Sequence, residues 1–204
     1  MRSFKSRKEV LYYLYREREK HQMSVHVNAP TGAWEVSEDF LLACADLPIS
    51  NANSLETGIG FSTAVFSAFG WSHTGITPSR QEALGLENWL SFLNDELYVK
   101  PKLITKPSYE VLPELSRQNA ASLNFALIDG NHAWPHVFLD YFYISLMLAP
   151  DAFLAIDDIN LDAPRGLLRY LQTRSYWRQV SSGDKWVILQ LVGKSSAETE
   201  DWNG

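Results

Sequence analysis

The chain has 204 residues, 46% of them hydrophobic and 21% charged, a profile that suits one domain with a sizeable core and excludes intrinsic disorder. A formal net charge of −6 and a pI of 5.4 give an overall negative field that repels phosphate backbones, which sets nucleic acid aside as a partner. A single cysteine, Cys44, allows no internal disulfide. No apolar run approaches the ~20 residues that cross a bilayer, and no apolar signal core follows the basic start, so no membrane partner and a cytoplasmic location are expected.

In chain order, residues 3–21 place Val10, Leu11, Tyr12, Tyr13, Leu14 and Tyr15 between charged flanks. That pattern predicts an amphipathic helix whose Lys/Arg face is solvated or serves as a lid or dimer contact. Residues 36–46 predict a second helix with Ser37 as N-cap. Short apolar strands then alternate with helices. Strands are predicted near 53–57, 72–77, 101–105, 123–129 and 152–157, with helices near 61–69, 79–95, 109–120, 134–148 and 164–172. Such alternation predicts a parallel sheet covered by helices on both faces. Two closing strands, 175–181 and 185–193, are joined by Ser182-Gly183-Asp184, a hairpin signal. The expected fold class is therefore α/β: a Rossmann-like, doubly wound, seven-stranded sheet, mostly parallel with a C-terminal antiparallel hairpin. Residues 1–22 form the helical extension, 23–194 the domain, and 195–204 a frayed acidic tail.

The segment Glu56-Thr57-Gly58-Ile59-Gly60-Phe61-Ser62-Thr63 ends the first predicted strand and opens a helix. Glycines there let the backbone approach a ligand, and the helix start offers free N–H groups. A dinucleotide fingerprint requires a third glycine where Thr63 stands, and Glu56 repels an anion. A carboxylate beside this turn suits a ligand bearing positive charge.

Three segments, Glu56-x-Gly58-x-Gly60, Leu127-Ile128-Asp129-Gly130-Asn131-His132 and Phe153-Leu154-Ala155-Ile156-Asp157-Asp158, together with the terminal hairpin, resemble class I S-adenosylmethionine-dependent methyltransferases over residues 50–193. Among these the chain looks most like metal-assisted small-molecule O-methyltransferases. The resemblance implies S-adenosylmethionine as cofactor, held by Glu56, Thr57, Gly58, Gly60, Phe61, Ser62, Thr63, Thr77, Ser108, Tyr109 and Asp129. It implies Asp129, Asp157 and Asp158 as ligands of a Mg2+ ion and His132 as catalytic base. The acceptor is then a small-molecule hydroxyl, and a homodimer is compatible.

Two positions depart from the pattern. Thr77 stands where an acid normally holds the ribose, leaving Glu82 to compensate, and Lys106-Pro107-Ser108-Tyr109 lacks the adenine-side acid. These departures admit a second reading, a non-catalytic Rossmann-like relative that binds another metabolite or a protein partner. The carboxylates also have two readings. Three of them converging on one crevice call for a hard cation such as Mg2+, whereas Asp158 is equally at home capping the segment that follows and Asp129 satisfying a loop backbone. His132 stands between base and ordinary helix start. Spacing puts Trp134, Phe138 and Tyr141 on one helical face, as core or, for Trp134, as a substrate wall.

Overall fold

The computed structural model describes residues 4–22, 35–93 and 97–193. Strands β1 (Asn53–Thr57), β2 (Ser72–Thr77), β3 (Lys102–Thr105), β4 (Leu123–Ile128), β5 (Leu148–Ile156), β6 (Trp177–Ser182) and β7 (Val187–Leu191) form one seven-stranded sheet. Their order is β3-β2-β1-β4-β5-β7-β6. The first five strands run parallel, and β7 enters antiparallel between β5 and β6. This is the fold class expected from the sequence. The order reverses between β1 and β4, and a crevice opens beyond the carboxyl ends of strands at such a reversal.

Helices α1 (Arg7–Lys20), α2 (Glu38–Ala45), α3 (Phe61–Ala68) and α4 (Arg80–Leu90) cover one face of the sheet. The other face carries α5 (Ser108–Gln118), α6 (His136–Ser145) and α7 (Asp162–Gln172). Side chains along the central strands alternate between the two cores. Phe125 and Leu127 of β4 and Phe153 and Ala155 of β5 enter the first core, while Ala126, Ile128, Leu154 and Ile156 enter the second. Burial on both sides explains why these strands read as continuous apolar runs. Cys44 is buried, and Trp71 stacks on Phe66 at 5.1 Å between ring centres. Trp89 and Trp177 are packed as well.

Several boundaries differ from expectation. Ser122 and Leu123 both donate their backbone N–H to the Met147 carbonyl at 2.8 Å, which draws the chain beside β4 early. Consequently β5 starts at Leu148, α6 stops at Ser145, and the register shifts between Leu123 and Phe125. Trp134 does not share a helical face with Phe138 and Tyr141. It precedes α6, joined to Pro135 by a cis peptide, and is 76% exposed. Ser37 takes the N-cap position of α2 but its side chain makes no capping bond. Residues 94–95 of the predicted 79–95 helix lie outside the described residues, as does the predicted tail at 195–204.

The basic face of α1 is not simply solvated. Arg7 donates to the carbonyls of Leu47 at 2.9 Å and of Ile49, and its guanidinium lies over the rings of Phe69 and Trp71. Arg18 pairs with Glu35 and lies 4.8 Å from the ring centres of both Tyr15 and Phe61. These contacts, with buried Leu11 and Leu14, fix α1 to the domain. Among the described residues no helix is long and apolar enough to cross a membrane.

Candidate active site

The turn after β1 is held from three sides. Gly58 has φ +87°, and its N–H donates to the Ile76 carbonyl of β2 at 2.8 Å. A Cβ on Gly58 would sit 2.4 Å from the Asp129 carbonyl oxygen, so only glycine lets the ends of β1 and β4 meet this closely. The Asp129 N–H donates in turn to the Thr57 carbonyl at 3.0 Å. Gly60 differs. Its backbone is extended, its N–H donates to Thr63 Oγ1 at 3.0 Å, and nothing lies within 4 Å of where its Cβ would be. Gly60 keeps space open at the start of α3, where free N–H groups gather.

Glu56 is placed otherwise than the sequence suggested. It is 1% exposed and turned into the protein. Its carboxylate accepts from Ser62 Oγ at 2.8 Å and from Thr63 Oγ1, and His73 Nε2 lies 3.3 Å away. Ser54 Oγ is 2.8 Å from the other ring nitrogen of His73. Glu56 and Thr63 therefore anchor α3 to the sheet rather than face a ligand. Ser62, Phe61, Gly60, Gly58 and Thr57 do line the crevice.

That crevice is a cleft of about 1060 Å³ at the carboxyl ends of the strands. Thr77 and Glu82 line one wall, with Thr77 Oγ1 donating to Glu82 Oε2 at 2.8 Å, so a carboxylate does stand beside the end of β2. Ser108 and Tyr109 line the wall formed by the start of α5, and the Tyr109 ring lies 5.6 Å from that of His136. Glu35, Val36 and Ser37 close the side nearest α1.

Asp129, His132, Asp157 and Asp158 line the remaining wall with Lys185. His132 stands between two carboxylates, with Nε2 3.5 Å from Asp129 Oδ1 and Nδ1 3.3 Å from Asp158 Oδ2. The Asp129 carboxylate, foremost, raises the His132 pKa against the opposing effect of burial, and Asp158 and Asp157 add to the rise. Burial pushes Asp129 up to about 7 while His132 pulls it back, and burial likewise pushes Asp157 to about 6. Among the described residues no group of three His, Cys, Asp or Glu side chains is set to hold a metal ion. The imidazole ring occupies the space between Asp129 and Asp158, so these side chains do not fit a divalent ion as they are arranged.

The Methyltransferase domain family model matches residues 55–159, more than half of the chain. The chain belongs to this methyltransferase family. The methyltransferase is also similar in structure to the O-methyltransferase TomG from Streptomyces achromogenes, involved in tomaymycin synthesis and solved in complex with SAM. That likeness has a TM-score of 0.65 at 18% identity, over 91% of this chain and 90% of the other. An O-methyltransferase from Bacillus cereus, solved in complex with SAH, gives a TM-score of 0.62 at 15% identity, over 94% and 92%. No curated protein matches the sequence.

Among the residues the sequence did not assign to the site are Lys185 and Gly130, which line the cleft, and His73 and Asp140, which are buried outside its lining. Lys185 arrives just after the Ser182-Gly183-Asp184 turn, whose signal marks a hairpin and not a site. Gly130 packs against Thr57, where a Cβ would lie 3.2 Å from Thr57 Oγ1. His73 and Asp140 are both buried, and the available signal was a single polar residue inside an otherwise inward-facing position. In the α6 segment His136-Val-Phe-Leu-Asp140-Tyr, Asp140 lies one turn after His136 and interrupts an apolar run.

Proposed function

We propose that this protein is an S-adenosylmethionine-dependent methyltransferase acting on a hydroxyl of a small molecule. The observation that carries the reading is the convergence of residues 57–62, 129–132 and 157–158 on one open cleft. The fit to this cofactor rests on chemistry as well as space. Its volume suits a nucleoside-sized ligand. Gly60 leaves the start of α3 clear for a carboxylate group. Glu82 offers a charged acceptor for ribose hydroxyls beside Thr77. Asp129 and Asp157 give the cleft a negative wall toward positive charge.

When bound, S-adenosylmethionine supplies a methyl group already activated on a sulfonium. The residues then have to align the acceptor oxygen in line with that methyl and take up its proton. His132 is the base suited to this. The carboxylates of Asp129 and Asp158 favour its protonated form, positive charge entering the cleft offsets them, the ring then gives that proton to solvent, and the freed nitrogen can accept the proton of the acceptor hydroxyl. Lys185, at the rim beside Asp157, is available to steady the acceptor. A Mg2+ ion at Asp129, Asp157 and Asp158 requires His132 to swing out from between its neighbours.

Calorimetric titration with S-adenosylhomocysteine, with and without Mg2+, tests the reading. Binding in the micromolar range is expected. Absence of both heat and thermal stabilisation at millimolar ligand would remove it.

A further inference from the structure

The three aspartates that the resemblance assigns to Mg2+ stand on backbone held from several sides. Asp129 donates its N–H to the Thr57 carbonyl at 3.0 Å and Asp157 to the Ile128 carbonyl at 3.1 Å, which ties both to strand ends. Asp158 has φ +49°, in the left-handed region that most residues avoid. Its neighbours keep it there: its carbonyl accepts from the Leu161 N–H, and the Ile159 N–H donates to the Lys185 carbonyl, each at 2.8 Å. Backbone held in this way sets where the carboxylate starts from, and what the carboxylate meets is a histidine.

His132 Nδ1 stands 3.3 Å from Asp158 Oδ2, and Nε2 stands 3.5 Å from Asp129 Oδ1. The two nitrogens lie on different edges of the ring, so the two oxygens flank it. Oxygen ligands of Mg2+ each lie about 2.0–2.1 Å from the ion, a spacing with no place for a ring between two of them. A carboxylate only accepts, and an imidazole N–H is a donor it can use instead of a cation. A groove of about 400 Å³ opens beside His132, lined also by Trp134, Phe138 and Gly166, so the ring has room to leave. The carboxylates keep it where it is.

Resting on the proposed methyl transfer, we infer that Asp129 and Asp158 are positioning residues for His132 rather than ligands of a divalent ion, and that the imidazole ring is the wedge that keeps this site free of metal. The base then meets the acceptor hydroxyl directly, with no cation between them. A metal-assisted site and a wedged one respond oppositely to loss of the ring. Taking it away here returns Asp129, Asp157 and Asp158 to one shared space, where their mutual repulsion favours a bridging cation.

The test uses Mn2+, which takes the same oxygen ligands as Mg2+ and is followed by electron paramagnetic resonance on the full chain. Each protein is measured against the same chain carrying Asp158→Asn, which sets the baseline for ions held elsewhere on an acidic surface. The wild type should show no excess over its baseline at millimolar Mn2+. His132→Ala should bind at least about tenfold more tightly than the wild type, and adding Asp158→Asn should abolish that gain. The wild type should also bind S-adenosylhomocysteine within about twofold equally in chelator and in Mg2+. Wild-type Mn2+ binding above the baseline, a His132→Ala chain that gains no ion, or Mg2+ that tightens S-adenosylhomocysteine overturns the inference and leaves the proposed function standing. Should His132→Ala fail to fold, the wild-type titrations decide alone. A wild type that binds S-adenosylhomocysteine in neither condition removes the proposed function itself.

Discussion

His73 Nε2 lies 3.3 Å from Glu56 Oε1 at a depth where neither side chain reaches solvent. The pair joins β1 to β2, and Glu56 extends it to α3 through Ser62 and Thr63. A carboxylate expected to face a ligand instead holds the start of α3 in place. Glu56→Ala leaves the Ser62 and Thr63 hydroxyls buried without their acceptor and removes the carboxylate beside His73, and should cost about 3–5 kcal/mol. Glu56→Gln, which keeps the shape, should cost about 1–3 kcal/mol. Urea unfolding of the two variants checks the order. Equal stability of both with the wild type would show the network to be idle.

Gly58 and Gly60 separate folding from binding. Gly58→Ala adds a left-handed backbone penalty of about 1–3 kcal/mol and a collision with the Asp129 carbonyl. Gly60→Ala adds a methyl to open space, so its stability should stay within about 0.5 kcal/mol of the wild type. Both should lose affinity for S-adenosylhomocysteine. Only Gly58→Ala should also lower the melting temperature.

Glu82 tests how the missing acid of β2 is replaced. A hydrogen bond to a charged group contributes about 1.5–3 kcal/mol, so Glu82→Ala should weaken S-adenosylhomocysteine by roughly ten- to a hundredfold. In turnover the loss should appear in KM for the methyl donor more than in kcat. An unchanged dissociation constant would remove Glu82 from the site.

Proton linkage at Asp129, Asp157 and His132 has a definite sign. An acid with a raised native pKa keeps its proton in the fold after the unfolded chain has released it, so stability falls as pH climbs from ~3.9 toward the native values. Those values are about 6 for Asp157 and about 7 for Asp129. The raised pKa of His132 contributes stability that is complete below its ordinary ~6.5 and is lost as pH rises through the native value. All three act together. The ligand-free protein should melt at its highest temperature near mildly acidic pH and lose stability toward pH ~8. Asp129→Asn should flatten that decline. A melting temperature that rises over the same range would contradict the arrangement.

His132 is tested by kinetics. His132→Ala should lower kcat by about 10²–10⁴, the usual contribution of a general base, with S-adenosylhomocysteine affinity little changed.

The alternation of strands and helices was legible because a two-sided parallel sheet needs apolar strands and one-sided helices, and β1, β2 and β4 fall at or within a residue of their expected limits. Residues at strand ends, Asp129, His132, Asp157 and Asp158, were legible for a related reason. Topology alone brings such ends to one rim. What the sequence hid is direction. Whether Glu56 turns inward or outward depends on His73, on the neighbouring strand β2, and on the hydroxyls of α3. Trp134 had the spacing of a core residue, and only the bend at Pro135 puts it outside. Arg7 and Arg18 read as surface charge because their partners, the carbonyls of Leu47 and Ile49 and the Glu35 carboxylate, are distant in sequence.

The insertion of β7 between β5 and β6 orders events during synthesis. On a ribosome, all five parallel strands have been made before their antiparallel neighbour. Until residues 187–191 emerge, β5 from Phe153 to Ile156 presents bare backbone donors and acceptors flanked by apolar side chains. The same docking brings the Lys185 carbonyl to the Ile159 N–H at 2.8 Å, directly after Asp157 and Asp158. The rim beside Asp157 and Asp158 therefore depends on the last strand of the sheet, and a chain lacking residues 187–191 would leave the edge of β5 without its partner.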